Sequence, residues 1–253
     1  MNKVRPKKKF GQHFIINKDI AQRITDLLNE KSKHVLEIGP GMGILTQFLA
    51  KKKINLQLIE IDRESIAYIQ KNYPRIKDKI ILYDFLKFNV KDYYKENLSI
   101  IGNFPYNISS QILFKVLRNK DIIIEVIGMF QKEVAQRICA KEGKNKGILN
   151  ILLQAFYNLE YCFNVEKEYF NPIPNVESAI IKLTRNKIKN IDCNEDLFFE
   201  VVKKGYNQRR KTLRNALKSF SLKDNLRMKS LLDLRAEQLS VEDFITITNN
   251  VQQ

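Results

Sequence analysis

Between residues 33 and 185 the chain alternates short apolar runs with amphipathic segments of helical period. We predict strands at residues 34–39, 55–62, 79–85, 99–104, 122–130 and 177–184, and one more within 158–169. Helices are predicted between them, at residues 43–51, 64–72, 109–117 and 132–141. Because the intervals between strands have room for crossover helices, the pattern favours an α/β fold with a mostly parallel seven-stranded sheet covered on both faces. The last two strands flank a Pro-containing loop, residues 170–176, which predicts an antiparallel edge strand.

The pattern changes after Arg185, where a polar linker is followed by segments of helical period only. We predict helices at residues 195–207, 211–220, 229–233 and 241–250, with Ser240 as the N-cap of the last one. Within residues 211–220 the apolar side chains share one helix face, and Arg210, Arg214 and Lys218 share another. The sequence therefore predicts two domains, residues 1–185 and a small all-α domain at residues 186–253.

Composition narrows the classes of function. No apolar run reaches 18 residues, and no apolar segment follows the basic N-terminus, so we expect neither a membrane span nor a signal peptide. The three cysteines are widely spaced and the chain has only two histidines, which predicts reduced thiols and no metal site. We therefore expect a cytoplasmic protein, and we take it to be a monomer.

The net charge of +16 is concentrated in two segments. Residues 1–9 contain five basic residues and no acid: Lys3, Arg5, Lys7, Lys8 and Lys9. Residues 201–230 contain ten basic residues, among them Arg209, Arg210, Lys211, Arg214 and Lys218, against one acid, Asp224. Clustered positive charge predicts a surface that binds the phosphates of a nucleic acid. The alternative is a general lysine bias in the composition.

A glycine-rich turn, GxGxG at Gly39, Gly41 and Gly43, follows the first predicted strand and opens a helix. Glycines there let the backbone approach a ligand, and the helix start offers free amides. Glu60 ends the next strand, 21 residues after Gly39, where an acid accepts hydrogen bonds from ribose hydroxyls. The spacing predicts a cofactor that contains a nucleoside. The alternative is a turn required only for tight packing.

Two further acids indicate which cofactor it is. Glu37 places a carboxylate before the turn, which disfavours a pyrophosphate and favours a cationic sulfonium or ammonium group. Asp84 ends the third strand, where it can accept from an adenine amine. The turn also departs from the dinucleotide pattern GxGxxG. This combination resembles the class I (Rossmann-like) methyltransferases, which use S-adenosylmethionine and release S-adenosylhomocysteine.

The tetrapeptide Asn103, Phe104, Pro105 and Tyr106 follows the fourth predicted strand. The amide oxygen of Asn103 and a backbone carbonyl held by Pro105 can accept the two N–H groups of an adenine amine and so direct its lone pair at a methyl group. Tyr106 can stack on the extruded base, a contact worth roughly 1–3 kcal/mol. No general base is evident, so we expect alignment and electrostatics to carry catalysis. The alternative is a structural Pro-containing turn.

An ordered set of motifs is similar to the small-subunit (16S-type) rRNA adenine dimethyltransferase family, KsgA. The segments are FGQHF at 10–14, EIGPG at 37–41, NFPYNIS at 103–109, QKEV at 131–134, FNPIPNVES at 170–178 and NQRRKTLRN at 207–215. The resemblance implies dimethylation of two adjacent adenosines in the 3′-terminal hairpin of small-subunit rRNA during ribosome biogenesis.

The resemblance also implies roles for residues. Cofactor contacts are implied at His13, Ile15, Gly39, Glu60, Asp84 and Asn103. Tyr106 and Phe170 would sandwich the target base. Arg209, Arg210, Lys211 and Arg214 would engage rRNA, and the charge pattern adds Lys218, Lys7, Lys8 and Lys9.

Three alternatives are open from sequence alone. The first is a large-subunit rRNA adenine methyltransferase of the antibiotic-resistance type, which shares both the GxGxG turn and the Asn-x-Pro-Tyr motif. The second is a non-catalytic nucleic-acid-binding relative. The third is an enzyme that methylates protein or DNA amines. The run at residues 207–215 and the intact motif at 103–106 favour the small-subunit family.

Overall fold

A computed structural model of the chain describes residues 4–223 and 225–252. Lys3 and Asp224, which belong to the charged segments noted above, lie outside the described residues. The chain forms two compact units. The first unit contains the residues up to Ala135 and Glu160–Arg185, and the second contains Gln136–Leu159 and the residues from Asn186 onward. The second unit therefore includes residues 136–159, which the sequence-based division assigned to the first domain.

The first unit is built on a seven-stranded sheet. The strands of the described residues are β1 Phe14–Ile15, β2 His34–Ile38, β3 Asn55–Glu60, β4 Ile80–Leu82, β5 Leu98–Gly102, β6 Ile123–Gln131, β7 Tyr157–Val165, β8 Phe170–Asn171 and β9 Ser178–Arg185. Their order across the large sheet is β4-β3-β2-β5-β6-β9-β7, and β1 pairs with β8 separately. The predicted α/β fold with seven strands is confirmed.

Five strands of the sheet, β4, β3, β2, β5 and β6, run parallel to one another. Their carboxyl ends therefore share one edge of the sheet. β9 runs antiparallel to β6, with Gly128 opposite Ile181. Of the last two predicted strands, β9 is therefore an inner strand and β7 lies outside it at the edge of the sheet. The apolar run of β9 agrees with this inner position, since Ala179, Ile180, Ile181 and Leu183 are all buried.

The helices of the described residues follow the predicted pattern with three additions, α1, α4 and α7. Their bounds are α1 Lys18–Asp26, α2 Thr46–Leu49, α3 Arg63–Asn72, α4 Val90–Tyr93, α5 Ser109–Arg118, α6 Lys132–Ile138, α7 Ile148–Gln154, α8 Glu195–Asn207, α9 Leu213–Ala216, α10 Leu226–Leu232 and α11 Val241–Asn249. Side-chain caps start several of them. The predicted cap Ser240 accepts from the backbone N–H of Asp243, and Asp62 accepts from that of Glu64 at the start of α3.

The N-terminal segment is tied to the first unit at two places. β1 pairs antiparallel with β8, which sets Phe14 opposite Asn171 and Ile15 opposite Phe170. At the other end of the segment, the ammonium of Lys7 lies 2.6 Å from a carboxylate oxygen of Asp62. These contacts hold residues 7–15 near the carboxyl ends of the parallel strands.

The second unit is helical, and α8 contacts α7, α9 and α11 within it. Contacts of α7 with α8 and α11 explain why residues 136–159 belong here. At Gly205 a Cβ would lie 3.0 Å from Leu213, so the glycine lets α9 approach α8 closely. Among the described residues, no helix combines the length and the apolar character that crossing a membrane requires.

Helix α9 is shorter than predicted, since only Leu213–Ala216 of residues 211–220 is helical. The predicted faces are nevertheless confirmed. Leu213, Ala216 and Leu217 are buried. Arg210, Arg214 and Lys218 are exposed. The periodicity therefore reported correctly which side chains are buried, although the chain turns after one helical turn.

Candidate active site

A cavity lies at the carboxyl ends of β2, β3, β4 and β5, where open parallel sheets bind their ligands. Its walls come from the residues that follow these strands and from the N-terminal segment at residues 9–14. Of the residues predicted from sequence, it brings together His13, Gly39, Gly41, Glu60, Asp84, Asn103, Phe104, Pro105 and Tyr106. Motifs that are far apart in the chain thus share one cavity.

The glycine turn after β2 has Gly39, Gly41 and Gly43 at φ of 65°, 56° and 78°. Side chains are strained at such angles, which favours glycine. A Cβ at Gly41 would lie 2.8 Å from the ring of Phe14, and one at Gly43 would lie 2.7 Å from that of Tyr73. A Cβ at Gly39 would meet none of the described atoms within 4 Å, because Gly39 faces the cavity. The backbone at Gly39 is therefore open to a ligand, whereas packing accounts for Gly43, which is not among the lining residues.

Glu60 lines the cavity at the end of β3, although its side chain is nearly buried. Its Oε2 accepts from the backbone N–H of Gly41 at 3.1 Å, and its Oε1 accepts from those of Ile61 and Asp62 at 2.9 Å each. Burial raises the pKa of the carboxyl, and these three donors partly oppose the rise because they favour the ionised form. Glu60 thus ties the glycine turn to β3 while it faces the ligand space.

Glu37 lies deeper than we expected. Its side chain is 1% exposed, accepts a hydrogen bond from Thr46 Oγ1 at 2.7 Å and is not among the residues that line the cavity. Burial raises the pKa of the carboxyl to about 8, against the opposing effect of the Thr46 hydroxyl. The carboxyl is therefore mostly protonated at neutral pH, and it does not present to the cavity the negative charge that we predicted at the strand end.

Asp84 lies in the cavity wall just after β4. Its Oδ1 accepts from the backbone N–H of Leu86 at 2.9 Å, and its carbonyl accepts from those of Lys87 and Phe88 at 3.0 Å each. This turn fixes the direction of the carboxylate. Its Oδ2 accepts no hydrogen bond from the described residues, so it is available to a ligand donor.

Asn103 has a fixed orientation at the end of β5. Its Nδ2 donates to the backbone carbonyl of His13 at 2.7 Å. That bond uses one of the two N–H groups of the amide and fixes its orientation, and no described residue donates to Oδ1. The geometry therefore presents an acceptor in the cavity, as the predicted grip on an amine requires.

Phe104 contributes its backbone to the cavity wall, since its side chain is buried. The ring packs edge-on against Phe130, with centroids 5.5 Å apart. Gly102 and Gly128 make room for it, because a Cβ at Gly128 would lie 2.4 Å from the ring. The backbone carbonyl, rather than the side chain, is therefore the part of Phe104 that can accept from an amine. The turn continues through Pro105, whose carbonyl accepts from the backbone N–H of Ile108 at 3.1 Å.

Tyr106 is held on two sides. Its hydroxyl hydrogen-bonds to Ser178 Oγ at 2.6 Å, and its ring stacks on that of His13 with centroids 5.7 Å apart. Burial raises the pKa of the phenol, so the group stays protonated at neutral pH. His13 in turn donates from Nδ1 to the carbonyl of Pro172 at 2.9 Å. The N-terminal segment, the 103–106 motif and the loop at residues 170–178 are therefore joined at this point.

Besides Glu37 and Gly43, the predicted site residues Ile15 and Phe170 are not among those that line the cavity. They pair across β1 and β8, are 2% and 1% exposed, and belong to the apolar core of the first unit. In this arrangement Phe170 is covered by packing and does not offer a face to a base. Its stacking role stays a prediction that requires the loop at residues 170–178 to move.

The basic residues of the N-terminal segment differ from one another. Lys7 donates to Asp62 and lies 3.0 Å from a carboxylate oxygen of Glu64, and the hydrogen bond to Asp62 is the main reason that its pKa is raised. Burial would raise the pKa of Asp62, but hydrogen bonds from Lys7 and Gln12 outweigh it and lower that pKa. Lys8 and Lys9 are exposed, and Lys9 also lines the cavity.

The C-terminal basic residues fall into two groups. Arg209 donates to the carbonyl of Lys144 at 2.6 Å, and Arg214 donates from Nη2 to Asp233 Oδ1 at 2.7 Å. Arg210, Lys211 and Lys218 are exposed, and their side chains have no hydrogen bond or ion pair with the described residues. The second group is therefore free to contact phosphates.

Several residues of the site escaped the sequence analysis. Ser178, Gln12 and Asp62 hold Tyr106 and the N-terminal segment. Ser178 and Gln12 stand inside the quoted motifs, which was the available signal, but nothing in the pattern named their partners. In the part of the chain that the structure describes, no three His, Cys, Asp or Glu side chains are grouped to hold a metal ion.

Comparison with known proteins supplies independent findings. Residues 3–253 match the family model described as "Ribosomal RNA adenine dimethylase". A protein of Flavobacterium johnsoniae is 53% identical over 255 residues, covering 100% of this chain and 98% of its own. One of Cytophaga hutchinsonii is 52% identical over 253 residues, covering 98% of each. Both are named "Ribosomal RNA small subunit methyltransferase A".

Two solved structures are similar over nearly the whole chain. A dimethyladenosine transferase from Plasmodium falciparum has a TM-score of 0.77 at 25% identity and covers 93% of this chain and 96% of its own. The 23S rRNA methyltransferase ErmE has a TM-score of 0.73 at 20% identity and covers 95% of this chain and 100% of its own. The second likeness concerns the fold alone.

Proposed function

The chain belongs to the ribosomal RNA adenine dimethylase family, and from this premise we propose that it dimethylates two adjacent adenosines of small-subunit (16S-type) rRNA, in the 3′-terminal hairpin. S-adenosylmethionine is the methyl donor, and its sulfonium supplies an electrophilic methyl group when it is bound. The fold is that of the class I methyltransferases. Relatives about half identical over nearly their full length, all bearing the small-subunit name, support the choice of substrate.

The orientation of Asn103 is the observation that carries the proposal. With Nδ2 donating to His13 and Oδ1 without a partner among the described residues, the side chain accepts an N–H from the target amine. The carbonyl of Phe104 accepts the second N–H. Two acceptors on the amine favour a pyramidal nitrogen, whose lone pair is then free to attack. Alignment of this kind is worth several kcal/mol when both groups are held in advance.

The cavity residues fit the proposed cofactor. The backbone at Gly39 is open, so the turn accommodates the amino acid portion without a clash. Glu60 would hold the ribose hydroxyls, and Asp84 would hold the adenine amine, since both side chains line the cavity. The roles of His13, Ile15, Glu37, Gly41 and Gly43 as cofactor contacts remain part of this proposal. Glu37, Ile15 and Gly43 are buried and do not line the cavity. We therefore expect them to act through the backbone or by supporting the residues that line it.

Asn103 does not act as a base, because a carboxamide takes up no proton near neutral pH. The proton that leaves the methylated amine therefore passes to solvent. Tyr106 stacks on the flipped base with a ring that His13 and Ser178 already hold. After one transfer a single N–H remains on the amine, so Asn103 and the Phe104 carbonyl then share one donor while the second methyl is added.

The partner is the small ribosomal subunit, and positive charge on the second unit and on Lys8 and Lys9 supports its binding. We propose further that the protein acts as a cytoplasmic monomer without a metal. A large-subunit substrate is disfavoured, because the likeness to ErmE concerns the fold, whereas the half-identical relatives carry the small-subunit name.

Methyl transfer to isolated subunits tests the proposal. Unmethylated small and large subunits are incubated in parallel with the protein and labelled S-adenosylmethionine, and the modified nucleosides are mapped. We expect dimethyladenosine at two neighbouring positions near the 3′ end of small-subunit rRNA. Label confined to large subunits, or the absence of label from both, overturns the assignment.

A further inference from the structure

A loop in the second unit, residues 141–147, carries positive charge that the sequence motifs did not include. It connects α6 to α7, and Lys141, Lys144 and Asn145 are exposed on it. The side chains of Lys141 and Lys144 form no hydrogen bond or ion pair with the described residues. Charges of this kind are available to an anionic partner.

The loop has a built conformation. Lys146 is 6% exposed, and its ammonium donates to the carbonyl of Leu239 at 2.6 Å. Asn150 Nδ2 donates to the carbonyls of Ile138 and Ala140 at 2.7 Å each, which fixes the start of the loop. Gly143 takes φ of 80° and accepts from the backbone N–H of Lys146 at 3.1 Å. An anchored loop holds its exposed charges with less loss of entropy on binding than a mobile one.

Arg209 joins this loop to the basic run at residues 207–215. Its Nη2 donates to the carbonyl of Lys144 at 2.6 Å, so the guanidinium is directed at the loop. Lys144 is thereby placed beside a turn that carries Arg210 and Lys211, both exposed. Acids are present in the same region, since Glu142 is in the loop and Glu237 Oε2 lies 3.9 Å from Arg209. The exposed cations outnumber them.

We propose that residues 141–147 and 208–211 form one phosphate-binding surface for rRNA, in which Lys141 and Lys144 contact phosphates and Arg209 positions the loop. The inference rests on the proposed function, because it takes small-subunit rRNA as the partner. The family resemblance implies that Arg209 contacts RNA directly. Its hydrogen bond to the carbonyl of Lys144 instead gives it the role of joining the loop to the basic run. The ammonium groups recognise the backbone of the RNA, so they contribute affinity without reading sequence.

Binding of the full-length protein to unmethylated small subunits, measured from low to high salt, tests the surface. The double variant Lys141→Gln/Lys144→Gln removes two exposed charges. We expect the slope of log K against log salt to flatten by between about one and two units, with an affinity loss of about tenfold at low salt. The control Lys77→Gln/Lys187→Gln removes two exposed charges outside the loop and outside both basic segments, and we expect it to change affinity less than about twofold. Equal slopes for wild type and the loop variant overturn the proposal.

A double-mutant cycle tests the joining role of Arg209. If Arg209 acts through Lys144, the loss from Arg209→Gln/Lys144→Gln is smaller than the sum of the two single losses. Arg210→Gln combined with Lys144→Gln gives additive losses, because Arg210 forms no hydrogen bond or ion pair with the described residues of the loop. Additivity in both cycles assigns Arg209 a direct phosphate contact and overturns its positioning role.

Two further measurements separate this inference from the proposed function. Asn145→Lys adds a charge at an exposed position, so binding tightens and the salt slope steepens if the loop faces RNA; unchanged binding counts against the loop. Wild-type protein that neither binds nor methylates small subunits overturns the proposed function itself. Wild-type methylation together with unaltered binding of the loop variant overturns this inference alone.

Discussion

The cavity of the first unit and the basic surface of the second unit use polar side chains in opposite ways. In the cavity, Asn103, Glu60 and Tyr106 each form hydrogen bonds to fixed partners, so the direction of each side chain is set before a ligand binds. On the basic surface, Arg210 and Lys211 are exposed and without partners among the described residues. The first arrangement fixes directions, and the second supplies charge.

This difference has energetic consequences. A polar group that is oriented by a buried hydrogen bond depends on its position to within tenths of an ångström. Its removal therefore causes a large loss of activity that is nearly independent of salt. An exposed ammonium or guanidinium group acts over a Debye length of about 10 Å, so its loss is modest, additive and screened by salt. Variants in the two regions therefore differ in kind as well as in size.

The largest effect is expected for Asn103→Ala. The variant loses the acceptor that faces the amine, and we expect methyl transfer to fall by roughly 10²–10³-fold, the loss seen when one preorganised polar contact to a transition state is removed. Affinity for S-adenosylmethionine, measured by calorimetry, changes by only a few-fold, because Glu60 and the glycine turn remain. The loss is the same at low and high salt. Cofactor affinity that falls in step with activity assigns Asn103 to cofactor binding alone.

The next effect is expected for the triple variant Arg210→Gln/Lys211→Gln/Lys218→Gln. Three free charges are removed, so the salt slope of binding to small subunits flattens by about two to three units and affinity at low salt falls at least about tenfold. Saturating RNA restores the methylation rate, because the cavity is unaltered. A methylation rate that stays low at saturating RNA means that at least one of these side chains contributes to catalysis. The two regions then do not differ in the way described above.

An effect on stability rather than on activity or binding is expected for Glu37→Gln. In the folded protein the pKa of this carboxyl is raised to about 8, whereas the unfolded chain titrates near the ordinary value of 4.5. Between these values the folded state holds a proton that the unfolded state has released, so the free energy of unfolding falls as pH rises, by up to about 1.4 kcal/mol per pH unit. Glutamine does not titrate, and its amide oxygen still accepts from Thr46.

Urea unfolding of the ligand-free protein between pH 5 and pH 8 measures this effect. As pH rises, the free energy of unfolding of wild type falls relative to that of Glu37→Gln. This relative fall is largest at pH 8. The subtraction cancels the groups that titrate in both proteins. If the two stability curves are parallel, Glu37 is ionised in the folded state. The negative charge that the sequence predicted at the end of β2 is then present.

Much of the fold was predictable because the spacing of apolar residues along the chain indicates which side chains are buried. The seven strands of the large sheet and α3, α5 and α8 lie where the apolar pattern placed them, whereas β1 and β8 were not predicted; the faces of residues 211–220 were correct although the helix is short. The assignment of residues 136–159 was not predictable. It depends on α7 packing against α8 and α11, and periodicity reports that a face is buried without naming its partner.

The site shows the same limit at the level of single residues. The motifs located the cavity, since residues at the carboxyl ends of parallel strands must share an edge. They did not indicate that Glu37 bonds to Thr46, that Phe170 is packed beside Ile15, or that Arg209 holds Lys144. Each outcome depends on a partner distant in sequence. Lys7 is the clearest example, because its charge is balanced by Asp62 and Glu64, which follow β3 and lie outside the quoted motifs.

The smallest effect is expected within the cavity, for Ser178→Ala. The serine hydroxyl holds the phenol of Tyr106 at 2.6 Å without lining the cavity itself, so its loss frees the ring on one side while His13 still stacks on the other. We expect the rate at saturating RNA to fall roughly fivefold, about 1 kcal/mol, which is the usual worth of one hydrogen bond. Cofactor affinity is unchanged.

Tyr106→Phe removes the same hydrogen bond from its other end, so it should match Ser178→Ala, and the double variant should lose no more than either single one. Additive losses would mean that the two hydroxyls act separately and that Ser178 does not position Tyr106. A fall in cofactor affinity would instead show that β9 has shifted. If the losses are not additive and cofactor affinity is unchanged, Ser178 positions Tyr106 from behind the cavity wall. The free cations of the basic surface have no contact of this kind.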